Sequence, residues 1–236
     1  MRIDKFFSET GILTRKESAE AVKRHRIFVD GVLVAKHDFK FDEHKSIVTL
    51  DGTYVKYKPF VYIMLNKPEG YVSATEDTEM KTVIDLLPAH LQRLNLFPCG
   101  RLDKATLGLV ILTNDGQAAH ALLSPKHHVS KIYYYECAEP LSESDRETLE
   151  AGVLLADGYY TKPCKIEKTD DYKGYITLTE GKYHQIKRMF GERGNSITFL
   201  ERLSFSTIKL DNNLNRGEWR YLTDEEEKVF ITAVKR

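Results

Sequence analysis

The sequence of 236 residues is poor in cysteine and proline. Its three cysteines, Cys99, Cys137 and Cys164, are odd in number and widely spaced, and no two form a Cys-x-x-Cys pair. This excludes a disulfide scaffold and a cysteine zinc site, and it favours a reducing compartment, here the cytoplasm. We expect each cysteine to be a small core residue. With 7 prolines and 14 glycines, the chain is also neither collagen-like nor disordered.

Long apolar runs and nucleotide-binding motifs are missing as well. The longest apolar runs, such as residues 61–65, are about five residues, whereas a membrane span needs roughly 20. No G-x-x-x-x-G-K-[ST], G-x-G-x-x-G or G-x-S-x-G motif occurs, so nucleotide-cofactor and α/β-hydrolase functions have no support. Lys plus Arg and Asp plus Glu both total 35, which excludes a histone-like polyelectrolyte but not a locally basic face.

The first 60 residues form a unit with such a face. They hold 12 Lys and Arg against 9 Asp and Glu. A short helix follows from Ile3, Phe6 and Phe7, a second begins at a capping box of Thr14 and Glu17, and residues 27–34 predict a hairpin around an Asp-Gly turn. A third strand is expected over 46–50. The basic helical face suggests phosphate binding, although a solvated surface is the commoner explanation.

The remainder alternates irregularly between strands and helices, which favours a mixed α+β domain. We expect strands over residues 61–66, 109–113, 131–136, 164–168, 174–179 and 204–210. We expect helices over 117–123, 142–151 and 184–193, and a last helix opened by residues 223–226.

Three segments could carry chemistry. Asp103 lies in a polar turn just before an apolar strand, as a nucleophile or base would, although a turn Asp capping its own backbone is the simpler possibility. Lys187 belongs to a second segment, over residues 180–190, where a cation could keep that carboxylate ionised, unless it is part of an exposed helix face. The third, over 124–136, has Lys126, His127 and Lys131 before three tyrosines, of which Tyr133 and Tyr135 should share a face. No spacing there favours a metal.

These segments resemble the RNA pseudouridine synthases of the RsuA group, over nearly the whole chain. Residues 1–6, 14–17 and 27–31 are similar to an S4 RNA-binding domain, and residues 62–70, 100–116 and 180–189 to the catalytic domain. The resemblance implies an α+β fold: a small S4 domain of the α-L type over residues 1–58, and a catalytic domain over 59–236 with a mixed, largely antiparallel sheet.

The resemblance also implies residue roles. Asp103 matches the essential aspartate, Tyr133 the tyrosine that stacks on the target uracil, and Lys187 the basic residue that pairs with the aspartate. Arg101 matches the arginine that helps to hold the extruded nucleotide. The expected RNA-binding set is Arg101, Arg2, Lys5, Arg15, Lys16, Arg24, Arg26, His184, Gln185 and Arg188. Asn66 and Lys67 are given no chemical role.

The function so implied is isomerisation of a uridine in ribosomal RNA, with no metal or cofactor. We expect the small-subunit (16S) rRNA, within a partly assembled small subunit, as the partner. Alternatives are a large-subunit (23S) rRNA enzyme of the same group and a non-catalytic S4-type ribosome assembly factor. A nucleoside glycosidase is a distant third, because it would normally show two working carboxylates.

Overall fold

The chain forms two compact units in the computed structural model, which describes residues 1–124 and 128–234. The first unit comprises Met1–Val61 together with Leu87–Leu96, and the second comprises Tyr62–Leu86 and the described residues from Phe97 onward. Lys126 and His127, which the sequence places in a basic segment, lie outside the described residues. None of the helices found among the described residues combines the length and the hydropathy needed to cross a membrane.

The first unit packs helices on a small antiparallel sheet. Its elements are α1 (Ile3–Glu9), α2 (Arg15–Lys23), β1 (Ile27–Val29), β2 (Val32–Leu33), β3 (Val48–Leu50), β4 (Thr53–Val55) and α3 (Ala89–Gln92). The strand order is β2-β1-β3-β4. The strand β4 lies in the polar stretch after residue 51, where the sequence predicts no strand.

Local sequence signals account for these elements. Thr14 and Glu17 form the expected capping box at the start of α2. Asp30 and Gly31 have φ angles of 52° and 77°, the positive values that a tight hairpin of this type requires. Ile3, Phe6 and Phe7 are fully buried in the core, as their helical spacing predicts.

The second unit has nine strands and four α-helices among its described residues. They are β5 (Tyr62–Lys67), β6 (Phe97–Pro98), β7 (Leu107–Thr113), α4 (Gly116–Leu123), β8 (Lys131–Cys137), α5 (Glu143–Ala151), β9 (Lys165–Lys168), β10 (Lys173–Leu178), α6 (Gln185–Gly191), β11 (Ile197–Phe205), β12 (Ile208–Lys209), β13 (Trp219–Tyr221) and α7 (Asp224–Val234). A 3-10 turn covers Val83–Leu86.

These strands form one sheet in the order β13-β5-β7-β11-β8-β10-β9, with β6 paired to β7 and β12 to β11. Every pairing among the described strands is antiparallel except that of β7 with β11. The mixed sheet expected from the sequence is therefore confirmed. Its apolar core lies where β5 and β7 meet α4 and α7, and it includes Cys99 and Phe230.

The expected strand over residues 204–210 is wrong. The strand β11 begins at Ile197 and ends at Phe205, and Ser206 adopts a left-handed φ of 56° that turns the chain into β12. The charged pair Glu201–Arg202 interrupts the apolar pattern of β11, which is why most of this strand escaped the sequence prediction.

Candidate active site

A cavity of about 610 Å³ opens in the second unit, and residues from several elements line it. The loop after β6 contributes Asp103, β8 contributes Tyr133, and α6 contributes Lys187. The three residues given catalytic roles from the sequence therefore line one cavity, although they are far apart in the chain. Their individual roles stay predictions.

A buried lysine holds the loop that carries Asp103. Lys67, at the end of β5, is fully buried, and its Nζ donates to the carbonyl oxygens of Pro68, Lys104 and Thr106 at 3.1, 3.1 and 2.8 Å. The N–H of Thr106 in turn donates to the Asp103 carbonyl oxygen at 3.0 Å. Burial lowers the pKa of Lys67 to about 8, and the charge of Asp103 opposes that shift. Sequence reasoning assigned Lys67 no chemical role and therefore missed this positioning role.

The Asp103 carboxylate is partly open to the cavity, with 28% of its side chain exposed. His184 Nε2 lies 3.5 Å from its Oδ1. His184 precedes α6 in a left-handed conformation (φ 49°, ψ 32°), and its ring stacks on that of Tyr183 with centroids 3.8 Å apart. The histidine assigned to RNA binding thus stands beside the carboxylate.

Tyr133 is 8% exposed and faces the cavity from β8. Tyr135, on the same face, packs against Phe190, whereas Tyr134 contacts Tyr175. This burial alternation confirms that Tyr133 and Tyr135 share a face of the strand. An aromatic ring at the wall of the cavity is suited to stack on a planar base.

The remaining predicted residues of the second unit differ in their surroundings. Lys187 is half-buried, and within the described chain no ion pair joins it to Asp103. Arg101 is exposed at the cavity. Gln185 is buried, and its amide is bound to Glu180 and to the backbone N–H of Lys182. Arg188 is paired with Asp157 at 2.7 Å.

The predicted basic residues of the first unit fall into two groups. Four are engaged by a neighbouring carboxylate, in the pairs Arg2–Asp4, Lys5–Glu9, Arg24–Glu20 and Arg26–Asp51. Arg15 and Lys16 are exposed at the start of α2, and no ion pair involves them in the described part of the chain. Those two side chains are therefore the more available ones for a phosphate.

Positive charge dominates the cavity wall. Its described Lys and Arg residues number six against two acidic residues; they are Arg101, Lys131, Lys162, Lys182, Lys187 and Arg202 against Asp103 and Glu180. Burial, helped by the charge of Arg202, lowers the pKa of Lys131 to about 8. In a chain with no net charge, this concentration of cations favours an anionic ligand.

Sequence reasoning missed Arg202 altogether. It lies at an inward position of β11 between Leu200 and Ser204, and it is 1% exposed. The signal that could have revealed it is the two-residue periodicity of β11, which places an arginine on the buried face.

The family model for RNA pseudouridylate synthase matches residues 61–192. An uncharacterized RNA pseudouridine synthase of Bacillus subtilis is 46% identical over 96% of each chain. The ribosomal small subunit pseudouridine synthase A of Haemophilus influenzae is 37% identical over 98% of this chain and 100% of its own. Among solved structures, a pseudouridylate synthase is similar with a TM-score of 0.69 and 35% identity, over 98% of this chain and 99% of that one.

Proposed function

This chain belongs to the RNA pseudouridylate synthase family, and on that premise we propose that it isomerises a uridine of small-subunit (16S) ribosomal RNA. The substrate is supported by relatives named as ribosomal small subunit pseudouridine synthases, from Haemophilus influenzae and Pasteurella multocida, each 37% identical to it over nearly its full length.

The observation that carries the proposal is the shared cavity of Asp103, Tyr133 and Lys187 with its excess of cations. The target nucleotide must leave its stack to reach such a cavity, which costs a few kcal/mol. Phosphate contacts from the surrounding Lys and Arg side chains offset that cost. Tyr133 then stacks on the extruded uracil.

The reaction breaks the C1′–N1 bond and makes a C1′–C5 bond. Asp103 attacks C1′, or stabilises the positive charge that develops there, while the bonding electron pair leaves with N1. The detached uracil turns, C5 bonds to C1′ and displaces the Asp103 carboxylate where that bond has formed, the C5 proton is lost, and N1 takes up a proton. The product is an isomer of the substrate, so the reaction has no net gain or loss of atoms or electrons.

Residues 1–58 serve, in this proposal, as an S4-type RNA-binding domain and residues 59–236 as the catalytic domain. The helices and four-stranded sheet of the first unit, with exposed Arg15 and Lys16, support the first assignment. The natural substrate is the rRNA of a partly assembled small subunit in the cytoplasm. Arg2, Lys5, Arg24 and Arg26 are each paired with a carboxylate of the chain. To contact RNA, each of these side chains would have to leave its carboxylate partner and bind a phosphate instead.

The direct test is Asp103→Asn in the full chain. The change removes the negative charge and keeps the shape, so we expect folding and RNA affinity close to wild type and tritium release from C5-tritiated rRNA reduced at least about 10³-fold. Release by Asp103→Asn at a near-normal rate would refute the assignment.

A matched control is Glu147→Gln, which makes the same carboxylate-to-amide change on an exposed face of α5, outside the cavity lining. We expect this variant to release tritium at the wild-type rate. Mapping pseudouridines in the two rRNAs of a deletion strain then identifies the substrate. A site lost from 23S rRNA would contradict the 16S proposal, and wild-type protein that binds rRNA without modifying it would favour an assembly factor.

A further inference from the structure

Arg202 is a buried cation that contacts no carboxylate among the residues the structure describes. Its Nε donates to the Leu109 carbonyl oxygen at 2.7 Å, and its Nη2 has no hydrogen-bond partner among the described residues. It takes part in none of the ion pairs of the described chain, although only 1% of it is exposed. Buried charges and buried polar atoms are ordinarily satisfied, because burial without a partner is costly. The free donor therefore points to a ligand.

The position of Arg202 places that donor at the catalytic end of the cavity. On β8, its partner across the strands is Tyr133. On the other side β7 approaches closely, since a Cβ at Gly108 would lie 2.3 Å from the Arg202 carbonyl oxygen. A Cβ at Gly100 would lie 4.0 Å from Arg202 Nη1. Arg202 thus pairs with Tyr133 across the strands, and its guanidinium adjoins Gly100 in the segment that leads to Asp103.

A second unsatisfied group lines the same cavity. Thr106 is 1% exposed, and its Oγ1 has no partner among the described residues. The Thr106 hydroxyl can donate or accept a hydrogen bond, whereas the Arg202 guanidinium only donates. Two such buried groups lining one cavity form a polar site for a ligand that offers both an acceptor and a donor.

The base edge fits this site better than a phosphate does. The phosphates stay in the RNA backbone and meet the exposed cations of the cavity, Arg101 and Lys182. The base enters first, and in uracil the C4–O4 group lies opposite N1 across the ring, so O4 and the N3–H reach deepest. O4 accepts a hydrogen bond and N3–H donates one, which matches Arg202 and Thr106.

We propose that Arg202 donates a hydrogen bond to O4 of the extruded uracil, with Thr106 Oγ1 accepting from N3–H. This inference rests on the proposed function. When the C1′–N1 bond breaks, the electron pair left on N1 is conjugated through C6 and C5 to O4. The Arg202 cation stabilises the charge that develops there, and such stabilisation in the transition state raises the rate of the chemical step rather than the affinity.

The test compares wild type and Arg202→Met on rRNA fragments whose target nucleotide is C5-tritiated uridine or its C5-tritiated 4-thio analogue. Sulfur accepts hydrogen bonds weakly, so we expect the wild type to be about tenfold slower on the analogue. On uridine, Arg202→Met should have a kcat about 10²-fold below that of wild type, with little change in KM. Changing its substrate from uridine to the 4-thio analogue should lower the kcat of Arg202→Met by less than about twofold further. An equal tenfold loss from the analogue in both proteins would overturn the contact.

The salt dependence of RNA binding separates a base contact from a phosphate contact. For Arg202→Met we expect the same slope of log affinity against log salt as for wild type. Loss of a phosphate contact would instead lower that slope by roughly 0.7 to 0.9, and this result would also overturn the proposal. Arg193→Met, which breaks a pair with Asp145 outside the cavity lining, is the control and should match wild type throughout.

Two further variants keep the test independent of folding. Arg202→Lys retains the charge and should recover part of the rate, and Thr106→Val keeps the shape and should lose about tenfold in kcat. Melting temperatures of both should stay within a few degrees of wild type. A Thr106→Val protein with full activity would remove the N3–H contact from the proposal. Failure of wild-type protein to modify any rRNA would instead defeat the proposed function.

Discussion

At the scale of single residues, the two buried cations Lys67 and Arg202 take part in no ion pair within the described residues. Lys67 is satisfied by three carbonyl oxygens, and two of them, those of Lys104 and Thr106, belong to the loop directly after Asp103. Arg202 has one carbonyl partner and a free donor. The first arrangement orients the backbone of the loop that carries Asp103, and the second leaves hydrogen-bonding capacity for a ligand.

Lys67 should make the stability of the protein depend on pH. Its pKa is about 8 in the folded protein against an ordinary value of 10.5. Between these values the unfolded chain keeps the proton that the folded protein has released, so the free energy of unfolding rises with pH. Relative to Lys67→Met, wild type should gain about 2 kcal/mol between pH 7.5 and 9.5, measured by urea denaturation.

Lys209→Met, which removes an exposed lysine of β12, is the matched control. The difference in unfolding free energy between Lys209→Met and wild type should not change over the same pH range. A pH-independent difference between wild type and Lys67→Met would show that Lys67 keeps its ordinary pKa. Lys131 is present in all three proteins, so its own depressed pKa cancels.

At the scale of elements, the parallel pairing of β7 with β11 brings the strand that follows the Asp103 loop next to the strand that carries Arg202. It brings Leu107 opposite Glu201 and Gly108 opposite Arg202, directly after the loop of Asp103. Gly108 has a φ of +97°, and its missing side chain leaves room for the β11 backbone. A glycine is therefore required here by both conformation and space.

Gly108→Ala should destabilise the protein. The added Cβ would lie 2.3 Å from the Arg202 carbonyl oxygen and would strain a left-handed backbone. We expect a loss of about 2–4 kcal/mol in unfolding free energy, with activity lost further because Arg202 is displaced.

Gly116→Ala serves as the comparison, because a Cβ at this first residue of α4 meets nothing within 4 Å. It should leave stability within about 1 kcal/mol of wild type. Equal urea midpoints for the two variants would contradict the close packing of β11 on β7.

At the scale of the whole molecule, positive charge is concentrated at particular places, although the chain carries no excess of it. The net charge is zero, yet the cavity is lined by six cations against two acids in the described chain. In the first unit most predicted cations are paired with carboxylates, whereas Arg15 and Lys16 form no ion pair with any described residue. The long-range attraction for RNA should therefore come from a few unpaired side chains.

The double variant Arg15→Gln/Lys16→Gln should weaken rRNA binding and lower the salt dependence of the affinity. Loss of two phosphate contacts is expected to reduce the slope of log affinity against log salt by about 1.4 to 1.8, measured by filter binding across salt concentrations. Catalysis at saturating RNA should be unchanged.

Lys45→Gln/Lys56→Gln removes the same charge from other exposed positions of the first unit. A specific RNA-binding face predicts a smaller change in slope for this control. Identical slopes for the two double variants would indicate a diffuse charge effect instead.

Most of the local elements, and most of the chemical groups of the site, could be predicted from the residues alone. Capping at Thr14, the turn at Asp30 and Gly31, and the two-residue alternation of Tyr133 and Tyr135 depend on neighbours close in the chain, and each was predicted. Asp103, Tyr133 and Lys187 were singled out by motifs and resemblance. Their roles depend on residue type at fixed spacing, which a sequence displays directly.

Which of these groups meet, and what holds them, depends on the folded chain. Residues 87–96 cluster with the first unit although they lie inside the second in sequence. Lys67 binds carbonyl oxygens up to 39 residues away, and Arg202 reaches the cavity because β11 lies between β7 and β8. Such partners are set by sheet order and close packing, which are properties of the folded chain and leave no local pattern.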